Sequence, residues 1–254
     1  MLVDTHCHVF WEYYEDLEQV ITRAKDKGVG ALIVNGYDMS SNKEVLELVK
    51  KYDIVYGALG IQPENLDELS DENISFIEEH INDDKIVAVG EIGLDYHYDL
   101  DKERQKDLFK RQLDIARKYN KPVIVHSRDC IQETYDILKM YNIKGIMHCY
   151  SGSVEMAKKF VEIGFFLGIG GISTFKNYRK VVEVIKNIPI EYILLETDCP
   201  YLTPEPYRGK RNEPAYIPLI LERICSLKSL NYKDAEEVMT SSILRLFDKK
   251  IKLW

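Results

Sequence analysis

Four histidines and two carboxylates lie in or at the end of short apolar runs: His6, His8, Glu91, His126, His148 and Asp198. Burying an imidazole or a carboxylate is costly unless something pairs it. Divalent cations are the commonest partner able to hold four histidines and two acids together. A mixed nitrogen and oxygen donor set with open positions also suits one or two ions that activate water. The residue types therefore point to a metal-dependent hydrolase. A lone histidine in an apolar run, such as His126, is more often a hydrogen-bonded core residue. Six such groups at the same end of five strands are poorly explained that way.

His6 and His8 are two apart, so alternation puts both on one strand face, aimed inward, while Cys7 faces away. The same argument turns Cys149 and Cys199 towards helices rather than a metal. A structural zinc site would need closed Cys or His ligands at short repeated spacing, which the chain lacks. His80, after Glu78 and Glu79, reads as solvated, and His97 stays unassigned.

Eight β-rich runs would carry these groups: Leu2 to His8, Ala31 to Gly36, Ile54 to Ile61, Ile86 to Leu94, Pro122 to His126, Gly145 to Cys149, Phe165 to Ile169 and Tyr192 to Asp198. Charged segments with helical spacing separate them, such as Leu17, Val20, Ile21 and Ala24. Runs like Ile86-Val87-Ala88-Val89 are apolar at successive positions, as strands covered on both faces are. The pattern predicts an α/β fold, a (β/α)8 TIM barrel with reactive groups at the carboxyl ends of its strands. An open doubly wound sheet is the alternative, but it would carry a Gly-rich phosphate loop where this chain has Asp4-Thr5-His6-Cys7-His8. Pro214 is placed to open a helix carrying Ile217, Ile220, Leu221 and Ile224. An extra C-terminal helix, Ala235 to Phe247, closes the pattern.

The 254 residues, 45% of them hydrophobic, suit one domain over 1–254. A net charge of -8 argues against general coating of nucleic acid or anionic membrane, so contact with an anionic substrate must be local. Five cysteines with no CxxC pair, and no signal-like start, predict a cytoplasmic setting. No apolar stretch reaches the ~20 residues needed to span a bilayer.

The chain resembles the TatD-type metal-dependent deoxyribonucleases, a branch of the amidohydrolase-like barrels. The resemblance covers nearly the whole length. It rests on Asp4-Thr5-His6-Cys7-His8, Gly90-Glu91-Ile92-Gly93-Leu94-Asp95-Tyr96, Val125-His126-Ser127-Arg128-Asp129, His148-Cys149-Tyr150-Ser151-Gly152 and Glu196-Thr197-Asp198-Cys199-Pro200-Tyr201-Leu202, with the tail Pro204 to Pro214. It implies that His6, His8 and Asp198 hold a first divalent metal ion and His126 and His148 a second, with Glu91 bridging. Magnesium, manganese and zinc all remain open. It further implies 3′–5′ exonuclease action on single-stranded DNA, with RNA as a further substrate class and no obligate protein partner. In that scheme Asp198 and Glu91 are the catalytic carboxylates: Asp198 takes the proton of a metal-activated water and Glu91 sets the distance between ions.

One departure stands out: Gly60-Ile61-Gln62-Pro63 replaces a family Gly-Ile-His-Pro, and Gln62 cannot act as an imidazole. Arg128 and Arg208 are the expected substrate-binding phosphate clamps, with Lys210 and Arg211 as a basic rim. Tyr96 and Tyr201, near the mouth, are read either as rings that stack on bases or as core packing residues. The competing reading is hydrolysis of another bond, in an aminoacyl-tRNA ester, an amide or a lactone. A non-enzymatic barrel has no evident need for an open six-ligand site.

Overall fold

A computed structural model of the chain describes residues 1–253. Strand β1 (Leu2–Cys7), helix α1 (Leu17–Asp26), β2 (Val29–Asn35), α2 (Met39–Lys51), β3 (Val55–Leu59), α3 (Asp71–His80), β4 (Ile86–Asp95) and α4 (Lys102–Lys118) form the first half. The second half is β5 (Val123–Arg128), α5 (Ile131–Lys139), β6 (Gly145–Met147), α6 (Val154–Glu162), β7 (Phe165–Ile169), α7 (Arg179–Asn187), β8 (Ile193–Leu195) and α8 (Ile217–Lys228). A final helix, α9 (Tyr232–Leu246), follows. Asp16, Asp38, Ser70, Asp101, Ser153 and Asn231 each cap a helix by accepting from a backbone N–H of its first turn.

The eight parallel strands pair strictly in chain order, which excludes the reversal of an open doubly wound sheet. Hydrogen bonds from Asp198 N to His6 O (2.9 Å) and from Thr5 Oγ1 to Leu195 O (2.9 Å) draw the last strand onto the first. The fold is a TIM barrel. Val3, Ile33, Ile124, Ile146 and Leu194 fill its interior together with Ile243 and Leu246 of α9 and Phe247 just after it, so the C-terminal helix plugs the amino end of the barrel. The other end is left open for chemistry.

Two strands are shorter than the sequence suggests. β6 stops at Met147 and β8 at Leu195 rather than at Cys149 and Asp198. Cys149 (φ 45°) and Asp198 (φ 55°) take left-handed backbone, which ends regular extended geometry. Strand β1 carries a register irregularity between Asp4 and Cys7, and β4 carries one between Val89 and Ile92. Both interrupt strands that deliver candidate ligands, as bulges near functional sites often do.

Candidate metal centre

His126 lies two residues after inward-facing Ile124 on β5 and projects from the barrel axis at its open end, whereas His148 and Asp198 lie just beyond the ends of β6 and β8 and reach that end from the segments that follow. His6 does not follow from Val3 in this way. The irregularity in β1 reverses the phase, and His6 and His8 then converge with their Nε2 atoms 3.1 Å apart. Glu91 Oε2 stands 3.6 Å from each of these nitrogens. Asp198 Oδ1 stands 3.7 Å from His6 Nε2 and 3.6 Å from His8 Nε2.

The other oxygen of Glu91 faces a second pair. Oε1 lies 3.2 Å from His126 Nδ1 and 3.9 Å from His148 Nε2, and His148 Nε2 is also 4.0 Å from Asp198 Oδ1. Donors about 2.1 Å from one ion, at angles between octahedral and tetrahedral, stand roughly 3.0–3.4 Å apart. The His6, His8, Glu91 and Asp198 atoms are close to that spacing. His8 Nδ1 donates to Asn35 O at 3.0 Å, which leaves its Nε2 lone pair towards the cluster. The donor set fits a divalent cation.

Burial, with His148 nearby, holds His6 well below the usual imidazole range, and burial likewise lowers His8. Neutral imidazole is the ligating form. Burial alone would raise Glu91, but its hydrogen bond to His126 and the charges of His6 and His148 keep it well below the carboxylate range. Burial opposes protonation of His126, yet hydrogen bonds to Asp95 and Glu91 bring it up to about 10. His148, also penalised by burial, reaches about 9 beside Glu196 and Asp198. Burial pushes Asp198 up to about 7. These values belong to the metal-free protein, and a cation at the cluster would favour the deprotonated forms.

Three acids outside the predicted set support it. Asp95 is fully buried and its Oδ2 lies 2.8 Å from His126 Nε2, while its Oδ1 accepts from His97 N at 2.8 Å. Glu196 Oε1 accepts from Cys149 N at 2.7 Å and lies 3.2 Å from His148 Nδ1. Asp4 accepts from Thr197 N (2.9 Å) and Thr197 Oγ1 (2.5 Å), tying β1 to the loop that bears Asp198. Each was detectable in principle: Asp95 lies four residues after Glu91, Glu196 two before Asp198 and Asp4 two before His6. Glycine at 168 makes room for one of them, since a Cβ there would sit 2.1 Å from Glu196 Oε2.

Cys149 packs against the core between strands and helices, yet alternation does not fix the direction of its thiol. Beyond the end of β6 the strand phase no longer applies, and the thiol shares a cluster with ligand atoms of His148 and Asp198, all within 4.8 Å of one another. Cys7 and Cys199 are buried in the core between strands and helices. His80 pairs with Asp83 at 2.7 Å on the surface. His97 is exposed and 3.3 Å from Asp129. Arg128 and Arg208 are exposed, with their guanidinium groups 5.7 Å from the Tyr98 ring centre and 4.3 Å from that of Phe175. Tyr96 is committed elsewhere: its hydroxyl donates to Glu133 at 2.5 Å and Lys102 lies over its ring. Gln62 lies in the loop after β3, where its N–H donates to Tyr37 O at 2.9 Å.

Comparison with known proteins places this geometry among relatives. The family described as TatD related DNase matches residues 3–248. The metal-dependent hydrolase YabD of Bacillus subtilis is 42% identical over 252 residues, covering 97% of this chain and 99% of that protein. The crystal structure of YjjV, a TatD homologue from Escherichia coli, superposes with a TM-score of 0.93 at 33% identity, covering 97% and 98% of the two chains. A TatD family hydrolase from Entamoeba histolytica superposes with a TM-score of 0.86 at 25% identity, covering 98% of each chain.

Proposed function

Because this chain belongs to the TatD-related DNase family of metal-dependent hydrolases, we propose that it hydrolyses phosphodiester bonds with two divalent ions, acting in the cytoplasm as a 3′–5′ exonuclease on single-stranded DNA, with RNA a further substrate class. The observation that carries this reading is the split of the Glu91 carboxylate. One oxygen faces His6 and His8 and the other faces His126 and His148. A carboxylate shared in this way would let Glu91 contribute to two ions, which together would activate water and neutralise charge for in-line displacement at phosphorus.

His6, His8 and Asp198 would hold one ion, His126 and His148 the other, and Glu91 both. When bound, such ions acidify a water molecule and neutralise charge on the phosphoryl oxygens. The chain's own residues do the rest. Asp198 would take the proton, a reading supported by its Oδ1 lying within 4.0 Å of His6, His8 and His148 at the centre of the cluster. Glu91 sets the span between the two histidine pairs. Arg128 and Arg208 would hold the substrate phosphates outside the cluster.

The test is digestion of end-labelled single-stranded DNA by metal-stripped protein refilled with magnesium, manganese or zinc, with Asp198→Asn as the control. Metal-dependent loss of mononucleotides from the 3′ end, abolished in a variant that still folds, is the expected result. Protein that takes up metal but leaves DNA and RNA intact would refute the nuclease reading and direct the search to aminoacyl-tRNA esters, amides and lactones. Near wild-type turnover by Asp198→Asn would remove Asp198 from the proposed role.

A further inference from the structure

Among the described residues, five aromatic side chains are exposed: Trp11, Tyr98, Tyr178, Tyr201 and Tyr207. All five lie in segments that follow a strand, after β1, β4, β7 and β8. The exposed large side chains elsewhere, Met1, Met140 and Leu230, are not aromatic. Aromatic exposure is thus confined to the end of the barrel that carries the candidate metal ligands. Exposed apolar groups gathered on one face mark a surface that meets a ligand.

The rings connect to the centre in one direction. The His8 ring meets Tyr37 edge-on at 5.3 Å, and the Tyr37 hydroxyl lies 2.9 Å from that of Tyr13. Tyr13 meets the Tyr201 ring edge-on at 6.1 Å. Tyr37 and Tyr13 are half-buried against Phe10, whereas Tyr201 is 53% exposed. The result is a continuous aromatic wall from a candidate ligand to solvent, built from the loops after β2, β1 and β8. Its charge is wrong for phosphate, because Glu12 accepts from the Tyr37 hydroxyl at 2.9 Å. Arg128 projects from the end of β5, across the barrel mouth from this wall. The mouth therefore has an aromatic wall with no arginine within it, Arg128 facing it, and Arg208 further along the loop that carries Tyr201.

We propose that Tyr201, backed by Tyr13 and Tyr37, is a stacking platform for an unpaired nucleobase next to the reacting phosphate, and so selects single-stranded nucleic acid over smaller phosphodiesters. The inference rests on the nuclease reading above and adds the group that would recognise the base. Stacking on an aromatic ring tolerates any base, since each has a π-face, and it needs a strand whose bases are free.

The experiment compares wild type, Tyr201→Ala and Tyr201→Phe, loaded with the same cation, on a single-stranded oligonucleotide and on a matched strand whose terminal residues are abasic. Tyr201→Ala should raise KM on the intact strand by about 5- to 150-fold, the range base stacking supplies, with kcat little changed. Tyr201→Phe should behave as wild type. The abasic strand should bind wild type as poorly as the intact strand binds Tyr201→Ala, and the substitution should then add nothing. Fluorescence anisotropy with metal-free protein should give the same order of affinities. An unchanged KM in Tyr201→Ala, or an equal rise on both strands, would overturn the platform while leaving the nuclease reading in place. If wild type cleaves neither strand, the nuclease reading has failed and the platform fails with it.

Discussion

Asp95→Asn isolates one bond at the centre. In the protein Asp95 presents one oxygen to His97 N and the other to His126 Nε2, at 2.8 Å each. The carboxylate holds the proton on Nε2, so that Nδ1, 3.2 Å from Glu91 Oε1, is left to act as a donor to a cation. Asparagine has one acceptor oxygen. If its amide N–H₂ faces His126, Nε2 must accept and the proton moves to Nδ1, which blocks the ligand. If its oxygen faces His126, the N–H₂ opposes the His97 N–H and the negative charge is gone. A buried hydrogen bond to a charged group contributes about 1.5–3 kcal/mol. At about 1.4 kcal/mol per decade, the variant should bind the ion that His126 would hold about 10- to 150-fold less tightly. Competition against a chromophoric chelator measures this directly, with circular dichroism to establish that the barrel is intact. A folded Asp95→Asn protein that binds every equivalent as wild type does would refute the argument that Asp95 sets the His126 tautomer.

The remaining predictions test other parts of the barrel. Arg208→Ala should raise KM for single-stranded DNA and reduce the slope of log affinity against log salt by about 0.7, the contribution of one phosphate contact; an unchanged slope would leave Arg208 as a surface group stacked on Phe175. Gly168→Ala drives a Cβ into Glu196 Oε2, and such overpacking costs about 1–3 kcal/mol. At about 2–4 °C per kcal/mol its Tm should fall by several degrees, and metal affinity should fall with it; a melt equal to wild type would show that Glu196 has room to move. Lys121, at the plugged end, donates to Ile86 O at 2.5 Å, and burial with Lys250 nearby lowers it from 10.5 to about 8. The unfolded chain therefore holds a proton that the folded one has released between about pH 8 and 10.5, so this residue's penalty is full below pH 8 and disappears as pH rises through that window. Relative to Lys121→Met, wild type should gain stability from pH 7.5 to 10 in denaturant titrations, and parallel profiles would contradict the sign.

The chemistry of this protein was legible in its residue types. Histidines and acids at the ends of apolar runs are costly to bury, and that cost is a local property of the sequence. Their position at the ends of apolar runs put His126, His148 and Asp198 at one end of the barrel, where the structure also has them, beyond the interior residues Ile124, Ile146 and Leu194. Alternation predicted that His6 and His8 share an inward face, and the structure shows that the irregularity between Asp4 and Cys7 is what turns that face inward. Alternation could not fix the direction of the Cys149 thiol because the strand had already ended. The sequence pointed to Tyr201 but equally to Tyr96, and not to the rest of the exposed aromatic rim, because tyrosine serves core and surface alike until burial is known.

Only the tertiary structure decided which acid serves which histidine. Asp95 reaches His126 across 31 residues and Asp4 reaches Thr197 across 193, while Glu91 divides its oxygens between two histidine pairs. Sequence periodicity reports the face on which a side chain lies, because that depends on the backbone repeat of its own element. The partner depends on strand register and on where each strand ends. Those are set by packing between elements distant in the chain, which no local pattern encodes.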